Sequence, residues 1–248
     1  MACLAATLFS ANQALAAEGG SVLEAALQFF TRHYPAGTVE RLASLRPPPL
    51  GPAEREGVLA TLPPEGEVLD LDADQRRKLA AARRVLELHG RGAVYVVKVI
   101  DVPQAAVALH ARAVLLVSEP ALDLLDEEEL QALFAHEVGH EYFWGEYLRA
   151  RQEKDRRRRQ TLELLCDGLA ILTLRGAGMG PRPLTSALEK VLRYNRDRFG
   201  AALNEGDYPA IGERRRFARR LGEWLLREDS RGAGCAAPPW SDVARSPP

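Results

Sequence analysis

Ala135-His136-Glu137-Val138-Gly139-His140-Glu141 decides how this chain is read. The spacing His-Glu-x-x-His places two imidazoles at i and i+4, on one face of a helix, where both can grip a single metal ion. Leu130, Leu133, Phe134 and Val138 recur at helical spacing, so one side of that helix is apolar. Asp126 with Glu129 three residues on predicts an N-cap and capping box, and Glu127 and Glu128 suit a first helical turn. Zinc suits two neutral histidines. Glu137, next to the first histidine, is free to act as the general base of a metal-assisted hydrolysis.

Two histidines leave a catalytic zinc one protein ligand short. Glu163-Leu-Leu-Cys-Asp167 supplies two carboxylates four apart on one helical face. Glu163 is expected as the third ligand, completing a His₂Glu set. Its neighbours Leu162, Leu164 and Leu165 are apolar, and a carboxylate buried among them needs a partner such as a cation. Asp167, one turn later, is expected to accept a hydrogen bond from the second ring nitrogen of a ligand histidine, fixing its tautomer.

Taken with the strand-like runs before it, the motif resembles the gluzincin zinc peptidases. The likeness is greater to the group that holds the CAAX-prenyl endopeptidases and the HtpX-type heat-shock proteases. Val114 to Ser118, Leu122 to Leu125 and Asp126 to Leu130 are similar to that group's strand, short helix and entry to the active-site helix. Glu163 to Leu174 resembles its third-ligand helix. The likeness runs over roughly residues 93–175 of the 248. It implies a zincin-like metallopeptidase domain holding one zinc ion, with a peptide substrate added as a strand at the edge of a small sheet. Only residues 141–162 separate the second histidine from Glu163, a shorter interval than many members have. Where the group carries His-Pro and then Glu-Arg, this chain has Tyr208-Pro209 and Glu213-Arg214. The resemblance implies Tyr208 as a hydrogen-bond donor to an oxyanion, with a packing role as the alternative. Arg214, on an amphipathic helix, is expected to turn inward to an acid near the site.

The rest of the chain sets bounds. With 248 residues, 46% hydrophobic and 27% charged, it has the composition of one globular core with a small appendage. A net charge of −1 and 6% aromatic content give no pull toward nucleic acid and no base-stacking platform. Residues 1–16 are small and apolar and end in Ala14-Leu15-Ala16. They predict a signal peptide and export, most simply to a periplasm, although no basic residue precedes the apolar stretch. No other stretch has the length to span a membrane. The basic run Arg149 to Arg159 leaves peripheral membrane contact open, but its Glu153 and Asp155 favour a solvated helix face.

Residues 17–66 read as a helix over 18–34 followed by a Pro-rich linker, or a strap across the cleft. The metallopeptidase domain is expected over 67–229 and a disordered tail over 230–248. Strands are predicted at 94–100 and 114–117, with an edge at 105–110 that holds a structural His110. Helices are predicted at 72–89, 126–148, 153–175, 183–198 and 209–228, giving an α+β, mostly helical fold with a small sheet beside the histidine helix. Cys166 reads as a small buried hydrophobe, and whether it pairs with Cys235 stays open. The expected activity is a zinc endopeptidase acting on proteins or peptides. The alternatives are a zinc-stabilised binding or chaperone-like module, and hydrolysis of a non-peptide bond.

Overall fold

The computed structural model describes residues 20–33, 46–62, 66–200 and 208–232. The signal-peptide, C-terminal-tail and Cys235 expectations lie outside those residues, the tail from residue 233 on. The described chain is α+β and mostly helical. Its elements are α1 (Val22–His33), α2 (Pro52–Ala60), α3 (Ala73–Leu88), β1 (Val96–Ile100), β2 (Val107–His110), β3 (Val114–Ser118), α4 (Glu119–Leu124), α5 (Glu127–Tyr142), α6 (Trp144–Gln152), α7 (Arg156–Gly176), α8 (Arg182–Phe199) and α9 (Ile211–Gly232). No helix among the described residues is long and apolar enough to cross a membrane.

The sheet has the order β1-β3-β2. The central strand β3 reads Val-Leu-Leu-Val-Ser and is buried along most of its length, as a strand covered on both faces must be. It runs parallel to β1, pairing Val97 with Leu115, and antiparallel to β2, pairing Leu109 with Leu115. β2 is therefore an edge strand, inside the edge expected at 105–110. Three residues, Ala111 to Ala113, join β2 to β3, and the turn is closed by the Ala113 N–H donating to the His110 carbonyl at 3.0 Å. Ala111 and Arg112 are left-handed, with φ of 44° and 61°. Such turns usually carry Asn or Gly, so His-Ala-Arg-Ala gave no turn signal.

α5 starts where Asp126 accepts from the Glu129 N–H at 2.9 Å and Glu129 accepts back from the Asp126 N–H at 3.0 Å. Glu129 also takes Ser186 Oγ at 2.6 Å and Lys190 Nζ at 2.7 Å, which ties α8 to the start of α5. The single helix expected over 126–148 is two helices. Phe143 leaves the helical conformation (φ −108°, ψ 21°) and turns its buried ring edge-on to Phe29, centroids 5.6 Å apart. The linker expectation for 35–66 also needs correction. Pro52 opens a real helix, α2, since its fixed φ suits a first helical turn.

α7 is the centre of the fold. Asp155 caps it, accepting from the Arg158 N–H at 2.9 Å, and every residue from Thr161 to Leu174 is buried. Burying each large apolar side chain contributes about 1.5–3 kcal/mol, so a helix covered all round anchors the domain. Two glycines set how closely its neighbours approach. A Cβ on Gly139 would stand 2.8 Å from the Cys166 Cα, and one on Gly168 would stand 2.1 Å from the Phe30 ring. The Phe30 ring is fully buried and cannot swing clear. Gly168→Ala should therefore destabilise the protein by about 1–3 kcal/mol through overpacking. Phe30→Leu in the same chain should recover part of that loss in thermal unfolding, and no recovery would place the clash elsewhere.

Candidate metal centre

His136 and His140 stand on α5 one turn apart, their rings 5.1 Å apart and nearly perpendicular. The close approach at Gly139 lets α7 run against this face, bringing Glu163 to the same point. Glu163 Oε2 lies 3.4 Å from His136 Nε2, and Oε1 lies 3.8 Å from His140 Nε2. The donor atoms of His136, Glu137 and His140 all lie within 4.8 Å of one another, a group that could hold a metal ion. Glu163 meets the same two imidazoles from the facing helix, one oxygen to each.

The residues pass a chemical test for a cation. Glu163 is 3% exposed, and its Oε2 makes no well-formed hydrogen bond; the polar atom facing it is His136 Nε2 at 3.4 Å. A buried carboxylate oxygen without a donor is costly. One that points with two imidazole nitrogens at a common space suits a divalent ion with nitrogen and oxygen ligands.

Behind the histidines lies a second layer. Asp167 Oδ1 is 2.9 Å from His136 Nδ1, the position expected of it. Arg214, reaching in from α9, grips the same carboxylate with both arms: Nε donates to Oδ2 at 2.7 Å and Nη2 to Oδ1 at 2.5 Å. Burial opposes the Asp167 charge, but the Arg214 guanidinium and the His136 hydrogen bond win and hold its carboxyl down at about 2. Behind His140 stands Cys166, its Sγ 3.6 Å from Nδ1. Cys166 is a free, buried thiol, and burial pushes its pKa well above the usual value, so it remains neutral.

Burial works against a charge on His136, but the contacts to Asp167 and Glu163 outweigh it and raise the pKa to about 10. The metal-free imidazole thus carries a proton on both nitrogens at neutral pH. A cation at Nε2 has to displace one of them. Metal uptake should therefore release a proton and tighten as pH rises toward 10, by about tenfold per pH unit for one displaced proton. In the metal-free protein the sign is opposite. The raised pKa stabilises the fold fully below 6.5, and that contribution fades as pH rises through about 10. Calorimetric titration with zinc in buffers of different ionisation enthalpy measures the proton count, and a count of zero would refute this protonation state.

Glu137 is half-buried and faces the sheet, where its Oε2 accepts from the Leu109 N–H on edge strand β2 at 2.9 Å. Tyr208 stands at the rim. Its side chain is 45% exposed, yet burial, and then the charges of Glu163, Tyr147 and Glu137, push its phenol pKa up. Tyr147 was not foreseen. It lies beyond i+4 reach of His140, and only the break at Phe143 brings α6 back so that its ring meets His140 edge-on, centroids 5.3 Å apart. Burial and then the Glu163 charge push its phenol pKa up too. No protein-family model and no curated protein matches the chain.

Proposed function

We propose that this chain is a zinc-dependent endopeptidase whose ion is held by His136, His140 and Glu163. One feature carries the reading. Two imidazole nitrogens and a buried carboxylate converge on one point, and Glu137 stands between that point and edge strand β2. Bound there, zinc would supply a Lewis acid that brings the pKa of water toward neutrality and polarises a carbonyl.

The chain's own residues do the rest. Glu137 takes the proton from the attacking water and hands it to the leaving amine. A purely structural site has no use for a base in that place, which weighs against the binding-module alternative. Asp167 holds the His136 ring through Nδ1, so that Nε2 points to the centre, and Arg214 holds Asp167. The Tyr208 and Tyr147 hydroxyls remain protonated, and each is a neutral donor available to a developing oxyanion. An extended peptide pairs with the outward backbone groups of β2 other than the Leu109 N–H, which Glu137 holds, and these hydrogen bonds keep it across the site.

A peptide-library digest with as-purified protein, chelator-stripped protein and zinc-restored protein tests the proposal. Cleavage should disappear with the chelator and return with zinc. A fully zinc-loaded protein that cleaves no peptide would sink the reading, and hydrolysis of esters or other amides alone would move the site to a non-peptide substrate.

A further inference from the structure

α5 carries a second glutamate one turn after Glu137, and it too reaches the β2–β3 hairpin. Glu141 is wholly buried. Its Oε2 accepts from the Tyr95 hydroxyl at 2.5 Å and from Arg91 Nε at 3.0 Å. Its Oε1 has no hydrogen bond and faces Arg112 Nη2 at 3.6 Å. Arg112 and Arg91 each hold one more group: the Pro48 carbonyl accepts from Arg112, and the Pro47 carbonyl accepts from Arg91 Nη2 at 3.0 Å. Three parts of the chain therefore meet at one carboxylate: the Pro-rich segment before α2, the loop before β1, and the hairpin turn.

Such a cluster is a poor route to stability. Taking ions out of water costs about as much as their attraction returns, and an apolar cluster of the same shape would serve as well. The turn is also strained. A left-handed conformation is unfavourable for a residue with a side chain, and the turn has two such residues, Ala111 and Arg112. Glycine at 112 would relax the backbone, but it would bring no guanidinium to Glu141. Strain of this kind near a site, retained by its surroundings, is a mark of imposed geometry.

The hairpin also meets α5 through the Leu109 N–H on Glu137, three residues before Arg112. Thus one face of α5 holds the metal with residues 136 and 140, and the adjoining face holds the hairpin with residues 137 and 141. Resting on the endopeptidase reading, we infer that Glu141 is a positioning residue. Through Arg112 it pins the β2–β3 turn to the histidine helix, and so fixes the strand edge whose Leu109 amide holds Glu137.

The test uses the full chain and reads the Leu109 amide directly by hydrogen exchange, beside kcat, KM and zinc content. Arg112→Gly accepts the left-handed turn without strain and takes the guanidinium away from both Glu141 and the Pro48 carbonyl. It should keep its zinc, speed Leu109 exchange about tenfold and lower kcat about tenfold, with KM changed far less. Arg112→Asn, which also tolerates a left-handed φ, should behave the same. Ala111→Gly, which relaxes the same turn and keeps the guanidinium, should match the wild type in both readouts. Adding Glu141→Gln to Arg112→Gly should speed Leu109 exchange little further, since Arg112 is the contact through which Glu141 reaches the hairpin, while the Arg91 and Tyr95 contacts that it also disturbs report in thermal stability. Unchanged Leu109 protection in the Arg112→Gly protein overturns the inference whatever kcat does, as does a wild-type Leu109 amide with no protection. If the wild type cleaves no peptide, the endopeptidase reading falls by itself, while the exchange result still decides whether Glu141 fixes the hairpin.

Discussion

Glu137→Gln should retain a full equivalent of zinc and lose peptide hydrolysis by about 10²–10⁴-fold, the range a positioned general base supplies. The two halves of that result are separable because the residues are. The three ligand candidates keep their positions, since Glu137 is not what holds Glu163 against the histidines. Glutamine has the same shape, and its carbonyl oxygen can still accept from the Leu109 N–H, so the strand edge stays where it is. What glutamine cannot do is take a proton. A loss in kcat at constant zinc content and constant thermal stability would therefore report on chemistry alone. Turnover within tenfold of the wild type would show that another group moves the proton, or that the reaction needs no base at this position.

The parts of the site that sequence reading recovered are those encoded locally. His136 with His140, and Glu163 with Asp167, are each i, i+4 pairs on single helices, so spacing alone puts each pair on one face. The Asp126 cap was legible for the same reason. Arg214 was reachable because it is the arginine of the Glu213-Arg214 pair on a basic, amphipathic helix. The residues that were missed depend on where the chain turns. Phe143 breaks the helix because Phe29, more than a hundred residues earlier, offers it an aromatic neighbour, and Tyr147 reaches His140 only after that break. The Ala111-Arg112 turn shows no Asn or Gly, and its left-handed backbone accompanies contacts to Glu141 and Pro48 that lie far away in sequence. Cys166 was read correctly as buried, but its place behind His140 follows from the close approach at Gly139, where the absence of a Cβ matters and leaves no periodic signal.

The largest effect on stability is expected at Arg214. Arg214→Met keeps most of the side chain's volume and removes the guanidinium that holds Asp167 with two hydrogen bonds, of 2.7 and 2.5 Å. Asp167 is 1% exposed, so its charge is left with His136 alone. Removing one member of a buried pair costs about 3–5 kcal/mol, and the lower end is expected here because Asp167 keeps the protonated His136 beside it. Acid unfolding gives a second readout with a definite sign. The depressed Asp167 pKa, about 2 against an ordinary 3.8, gives stability that is present above 3.8 and lost as pH falls through about 2. Without Arg214 the depression shrinks, so acid unfolding should begin at higher pH. Zinc affinity should fall by about 10–100-fold, the usual cost of disturbing the group that orients a ligand histidine. Neutralising the orphaned acid as well separates the two contributions. Arg214→Met with Asp167→Asn should recover most of the lost stability, since no unpaired charge remains, but should recover little of the zinc affinity, since an amide orients His136 less firmly than a carboxylate does. Denaturant unfolding at neutral pH and zinc titration of the two variants measure both quantities. If Arg214→Met alone unfolds within about 1 kcal/mol of the wild type, Asp167 does not depend on the guanidinium, and the layered support of His136 from α9 through α7 to α5 is refuted.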